Sequence, residues 1–299
     1  MKKILSIITC AAALAAACSL TGCVSGLIGA QRSGPAMWIA EDANGHRCYI
    51  LAAVGCGRDG SRYPLPDVIE DAYSYCEAVA VEPYSVEGAE FQEYTDGTTV
   101  KDHLSKDVYD AAVSRITEYE GGYDGKYDKM PVPFWYSLIS SYETNKSGFS
   151  AEYGTAAYFT DKASRDGKPV MMTGEYTELA EDVAEIDDAV YEQLLVSLLR
   201  GGSGLEYMDT LYYGGDTDTL EYALNASRNA KYQSASLAAS MNEYYDLMFT
   251  KRSASDAAAI GGYIDSGRRV FVLIAFERLI GGDGVISQLR AAGYSVYRK

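Results

Sequence analysis

Three acids, one arginine and a glycine turn fall where strand-like runs stop. The run Cys48–Val54 passes into Gly55–Cys56–Gly57, Ala78–Val81 ends at Glu82, Lys168–Gly174 ends at Glu175, and Arg269–Phe276 ends at Glu277–Arg278. In open α/β sheets ligands sit beyond the carboxyl ends of the strands, so these residues could converge on one edge. Glu82, Glu175 and Glu277 together would offer carboxylate oxygens to a hard cation such as Mn²⁺ or Ca²⁺. The opposing reading is that polar residues only mark where strands end.

Other reactive types are scarce. His46 and His103 are the two histidines. His46 flanks a turn and His103 lies in a helical pattern, where it is expected to face solvent. Of six cysteines, Cys10 and Cys18 belong to an N-terminal leader and Cys23 to a lipid site; Cys48, Cys56 and Cys76 remain. Three thiols cannot close a disulfide framework, so a Cys56–Cys76 bridge and three buried thiols both stay open. Their spacing does not suggest zinc.

The elements that must position these residues follow from periodicity. Met37–Glu41 and Cys48–Val54 flank Asn44–Gly45, a hairpin signal. Pro66 and Asp67 open a helix with Val68, Ile69, Ala72 and Tyr75 on one face, and "AVAVE" then reads as a buried strand. Strand, helix and strand in this order predict a right-handed βαβ unit. A helix-rich middle spans Val100–Tyr119, Pro133–Glu143, Ala151–Arg165 and Glu178–Arg200, the last with Leu179, Val183, Ile186, Val190, Leu194 and Leu198 in register. Asp216 or Thr217 can cap a further helix. The chain closes with a helix over Ser253–Asp265, a strand over Arg269–Phe276, a helix over Asp283–Ala292 capped by Gly293, and the strand "YSVYR". The fold class is α/β: a mixed, largely parallel sheet flanked by helices, with a large helical insertion. The 26 tyrosines are read as half-buried helix surface.

Lys2, Lys3 and the apolar run Ile4–Ala17 form a leader too short to span a bilayer. "LTGC" at Leu20–Cys23 resembles a bacterial lipobox, which implies cleavage before Cys23 and acylation of that residue. Residues 1–22 are then a lipoprotein signal peptide, 23–36 a lipidated tether and 37–299 one domain. A lipid anchor contributes about 0.8 kcal/mol per buried CH₂, and two or more chains make attachment stable. The chain would sit at the cell or outer membrane, outside the cytoplasm. Loss of Lys2 and Lys3 takes the net charge from −16 to −18, which excludes nucleic-acid binding.

The order of segments resembles the TraB/GumN family, whose animal relatives include the Tiki metalloproteases. The match runs from "MWIAEDANGHRCYILAAVGCGRDGSRYPLPDVIEDA" and "AVAVE" through "GFSAEYGTAAYFTDKASRDGKPVMMTGEYTELAED" and "YYGGDTDTLEYAL". It ends on "MFTKRSASDAAAI" and "VFVLIAFERLIGGDGVISQLRAAGYSV". The family's Gly-x-x-His motifs fall on Ala52–Gly55 and Ala275–Arg278, so Gly55 and Arg278 occupy the two histidine positions. The family's two acids match Glu82 and Glu175, and its late arginine matches Arg252, here followed by Ser253 where asparagine is usual.

The resemblance implies a metal held by the two histidines and an acid. Gly55 offers no side-chain donor, and Arg278 is permanently cationic and donates hydrogen bonds only. The residues therefore point to a catalytically degenerate, membrane-anchored lipoprotein with no resident cofactor, which binds a peptide or another envelope ligand; Gly55, Glu82, Glu175, Arg252 and Arg278 are its vestigial site. Two other readings stay open. One is a remodelled metal-dependent hydrolase using Glu82, Glu175 and Glu277 with Mn²⁺ or Ca²⁺. The other is a structural envelope protein without a pocket.

Overall fold

A computed structural model describes residues 34–82, 91–174, 186–201 and 204–299. Its centre is a six-stranded sheet of β1 (Met37–Glu41), β2 (Arg47–Ala53), β3 (Ala78–Val81), β4 (Val170–Met172), β5 (Val270–Ala275) and β6 (Ser295–Arg298). The strand order is β4-β3-β5-β2-β1-β6. The four strands β4, β3, β5 and β2 run parallel, while β1 is antiparallel to β2 and β6. The mixed, largely parallel sheet is the one anticipated.

The sequence pattern explains the layering. β5 reads VFVLIA and all six residues are buried, as expected of a central parallel strand covered on both faces. Alternate residues split between two cores. Cys48, Ile50, Ala52, Val272 and Ile274 face one, Leu51, Ala53, Phe271 and Leu273 the other. The smaller core is covered by α1 (Asp67–Tyr75) and α5 (Thr155–Asp166), through Ile69, Tyr73, Phe159 and Ala163. The larger core takes α3 (Lys106–Glu120), α4 (Val132–Lys146), α6 (Asp188–Gly201), α7 (Leu205–Gly214), α8 (Thr217–Arg228), α9 (Ala235–Tyr245), α10 (Arg252–Asp265) and α12 (Val285–Ala291). Single helical turns form α2 (Val100–His103) and α11 (Phe276–Leu279). Among the described residues no helix is long and apolar enough to cross a membrane.

β2, α1 and β3 form the expected strand–helix–strand unit with parallel strands, and β5 is inserted between the two strands. Several other expectations need correction. The Val100–Tyr119 helix breaks at Leu104, whose backbone is extended, and restarts after Ser105. Ala151–Tyr153 is a separate 3₁₀ turn before α5, because the backbone of Gly154 is extended; a Cβ at Gly154 would meet the Gly55 carbonyl at 2.6 Å. Glu178, Leu179 and Val183 lie outside the described residues. His103 is not a solvent-facing histidine: it stacks on Tyr94 with ring centres 4.2 Å apart, and its Nδ1 is 2.7 Å from Asp188. Tyr73, Tyr136, Tyr191, Tyr212 and Tyr244 are core residues rather than helix surface. Cys48, Cys56 and Cys76 are free and buried.

Candidate functional site

The parallel register brings the ends of β2, β3, β4 and β5 to one edge. Ala53 is level with Ala275, and Val81 with both Leu273 and Met172. Beyond this line the chain must turn, and each turn puts a polar group at the edge.

β5 ends because Ala275 leaves the strand and starts the single turn α11, which carries Phe276, Glu277, Arg278 and Leu279, all buried. Adjacent residues on a helical turn point about 100° apart, so neighbouring charges diverge. Gly281 then takes a φ of 93°, and Gly284 lies so near the Ile280 carbonyl that a Cβ would meet it at 2.4 Å. The glycine-rich turn after the strand is thus required by geometry.

Arg278 turns toward β3 and α10. Its side chain is 4% exposed and is ion-paired with Glu82 through Nη2 and with Asp256 through Nη1, the latter at 3.0 Å. Glu82 folds back along the sheet, where its Oε1 accepts from the Ala275 amide at 2.6 Å, extending the β3–β5 ladder by one bond. Asp256 accepts from the Thr173 hydroxyl at 2.6 Å, and the Thr173 amide donates to Val81 at 3.0 Å. Ser253 donates to the Arg278 carbonyl at 3.0 Å. One guanidinium therefore joins β3, the end of β4, β5 and α10. Burial pushes the Asp256 carboxyl upward, against the pull of the Thr173 hydrogen bond and the Arg252 charge.

Glu277 points the other way, into a recess of about 20 Å³, room for one water-sized group. Gly55, Cys56, Phe149, Met208, Tyr212 and Phe276 line it with Glu277. Burial pushes the Glu277 carboxyl up to about 7, with its own backbone N–H and the Arg252 charge acting in opposition. The Cys56 thiol is pushed up to about 12 by burial and by the negative charges of Glu277 and Asp209, which makes it a poor nucleophile. Ion pairs tie the loop after β2 to α7, Arg58 with Glu206 and Arg62 with Asp209, and Asp209 also lines the recess. Tyr212 fixes α7 to the sheet, donating to Ala52 at 2.8 Å with Thr155 at 2.9 Å from the same hydroxyl.

The structure thus brings Gly55, Glu82, Glu277 and Arg278 to one edge. It places Arg252, half-buried, at the head of α10, directly after a π-helical turn over Asp246–Lys251. Such turns often re-aim side chains at functional sites. Glu175 and Cys23 lie outside the described residues. Sequence reading missed Asp256, Thr173 and Ser253. The signal for Asp256 was present: it lies in the buried stripe Ser253–Ala257–Ile260–Ile264 of α10, where an acid requires a partner.

Two outcomes follow from this geometry. Arg278→Ala strands two buried carboxylates and lowers stability by roughly 3–5 kcal/mol in urea unfolding, whereas Arg278→Met combined with Glu82→Gln and Asp256→Asn recovers most of that loss. Glu277 has a raised folded pKa, so the folded state holds its proton more tightly than the unfolded chain. Its contribution is full below the unfolded value of about 4.3 and is lost as pH rises through about 7. Glu277→Gln should flatten the fall in stability between those pH values and stabilise the protein at pH 8 by on the order of 3 kcal/mol.

No curated protein and no solved structure matches the chain. A family model, described as the TraB/PrgY/gumN family, matches residues 36–298, from the buried residue before β1 to the end of β6. The match spans every strand and every residue that meets at the sheet edge, and the chain belongs to the TraB/PrgY/gumN family.

Proposed function

We propose that the chain is a membrane-anchored lipoprotein of the TraB/PrgY/gumN family that acts by binding a peptide or another envelope component and has given up metal-dependent catalysis. The observation that carries this reading is the Arg278 guanidinium, buried between Glu82 and Asp256 at the strand-end edge. By resemblance that position belongs to a histidine ligand. A divalent ion needs neutral or anionic donors. Here Gly55 has no side chain to give, Arg278 carries a fixed positive charge, and Glu82 and Asp256 are already engaged. The residues do not fit a metal held in the family manner. Arg278 takes over the electrostatic task of a cation, neutralising acids that would otherwise be costly to bury.

The recess beside this plug supports binding over turnover. Its thiol is buried and held protonated, and its carboxyl faces apolar walls. The acidic surface and the lipobox-like "LTGC" at Leu20–Cys23 support an envelope location with Cys23 as the membrane attachment.

Two experiments test the reading. The protein should show no stoichiometric Mn²⁺, Co²⁺ or Zn²⁺ binding and no metal-stimulated peptide cleavage. The double change Gly55→His, Arg278→His should raise metal affinity at least about tenfold by restoring two imidazole donors. Tight metal binding with cleavage by the wild type would instead favour a remodelled hydrolase using Glu82, Glu175 and Glu277. For the anchor, mass spectrometry should find a mature N-terminus at an acylated Cys23 and the protein in the detergent phase. Cys23→Ser should abolish both, and a Cys23→Ser protein processed and partitioned like wild type rejects the lipoprotein assignment.

A further inference from the structure

The strand-end edge is also where the chain enters the domain from its amino-terminal side. β1 is antiparallel to β2, so its first residues lie beside the last residues of β2. The Ala52 amide donates to the Ala36 carbonyl at 2.9 Å, and the Gly34 amide donates to the Tyr213 carbonyl at 3.1 Å. Tyr213 follows Tyr212, which lines the recess. A Cβ at Gly34 would meet Pro66 Cγ at 2.8 Å, so the entry point lies against the segment after β2, where Arg58, Ser61, Pro64, Pro66 and Val68 face solvent. Asn44, in the turn between β1 and β2, sits at the opposite end of the sheet. The two ends are about 23 Å apart along the seven residues of β2.

Gly34 follows Cys23 by eleven positions. A fully stretched chain covers at most about 3.6 Å per residue, so Gly34 lies within about 40 Å of an acyl group on Cys23 whatever path the chain takes. Turning the edge away from the bilayer would put the body of the domain between the edge and the lipid. The tether would then have to run the length of the sheet, which spends most of its reach and with it most of its conformational freedom. It would also press a strongly acidic surface onto anionic headgroups. With the edge toward the lipid neither cost arises.

We infer that the strand-end edge, with the recess and the exposed segment 58–68, faces the membrane that holds Cys23. The partner of this face is the lipid surface, and a ligand of the edge is met within about 40 Å of it. The inference rests on the proposed function, since it takes Cys23 to be acylated.

The test uses the full lipid-anchored protein in vesicles of phosphatidylethanolamine and phosphatidylglycerol that carry a headgroup-labelled acceptor lipid. Cys48, Cys56 and Cys76 are buried, so a donor fluorophore goes to one added thiol at a time. Ser61→Cys and Gly282→Cys mark the strand-end edge, while Asn44→Cys and Ser266→Cys mark the opposite end; all four positions are exposed. Two sites at each end preserve the comparison when one variant fails to fold. Energy transfer to the lipid from either edge site should exceed that from either opposite site at least about twofold, given the ~23 Å between the ends. Equal transfer from both ends, or stronger transfer from positions 44 and 266, in protein that floats with the vesicles overturns the inference and leaves the anchor standing. Wild-type protein that fails to float with the vesicles, as Cys23→Ser should, rejects the lipid anchor and this inference with it.

Discussion

A guanidinium buried between two carboxylates is the constraint around which this sheet edge is organised. Arg278 cannot be desolvated without Glu82 and Asp256, nor they without it. Satisfying it requires β5 to lie beside β3, α10 to cross the sheet with Asp256 inward, and β4 to deliver Thr173 to the far side of that acid. The glycine turn after α11 and the Ser253 hydrogen bond hold the Arg278 backbone where its side chain reaches both partners. Such a triad adds little net stability over an apolar cluster of the same volume. What it adds is alignment, because three charged groups from distant parts of the chain have one low-energy arrangement.

The fold itself does not depend on that chemistry. β2, β3 and β5 are buried on both faces by small and β-branched residues, and two hydrophobic cores enclose them. The apolar sheet keeps its strand ends in line whichever side chains project from them, so the residues at the edge can change with the architecture intact. Arg278 sets a positive charge among the acids that is covalently fixed and donates hydrogen bonds only. The recess beside it is lined by an acid, Glu277, and by Gly55, which has no side chain.

Much of the scaffold was legible in the sequence. The Asn44–Gly45 hairpin, the apolar strands over Ala78–Val81 and Val270–Ala275, the Asp216 cap, which accepts from the Thr219 amide at 3.0 Å, and the Gly293 turn all follow from local rules. These features are set by periodicity and by backbone conformations that few residues adopt, both of which act within a few positions. The edge holding Gly55, Glu82, Glu277 and Arg278 was legible for the same reason, since each residue lies just past the end of an apolar strand. The pairing of Arg278 with Glu82 follows from charge: an acid and a base carried to one dry edge must neutralise each other.

Tertiary structure alone decided the rest. That β5 lies between β2 and β3 depends on pairings between residues far apart in the chain, such as Tyr49 with Phe271 and Ala78 with Val270, about which local pattern is silent. That Glu277 and Arg278 diverge, one into a recess and one into a triad, depends on a single helical turn whose phase is set by packing. Asp256 and Thr173 entered the site, and His103 left the surface for Asp188 and Tyr94, because each found a partner remote in sequence. The sequence by itself determined which segments are strands and helices, and where the polar groups must emerge. Which of those groups face one another was fixed when two cores closed on the sheet, because burial makes an unpaired charge costly only after the fold has excluded water from it.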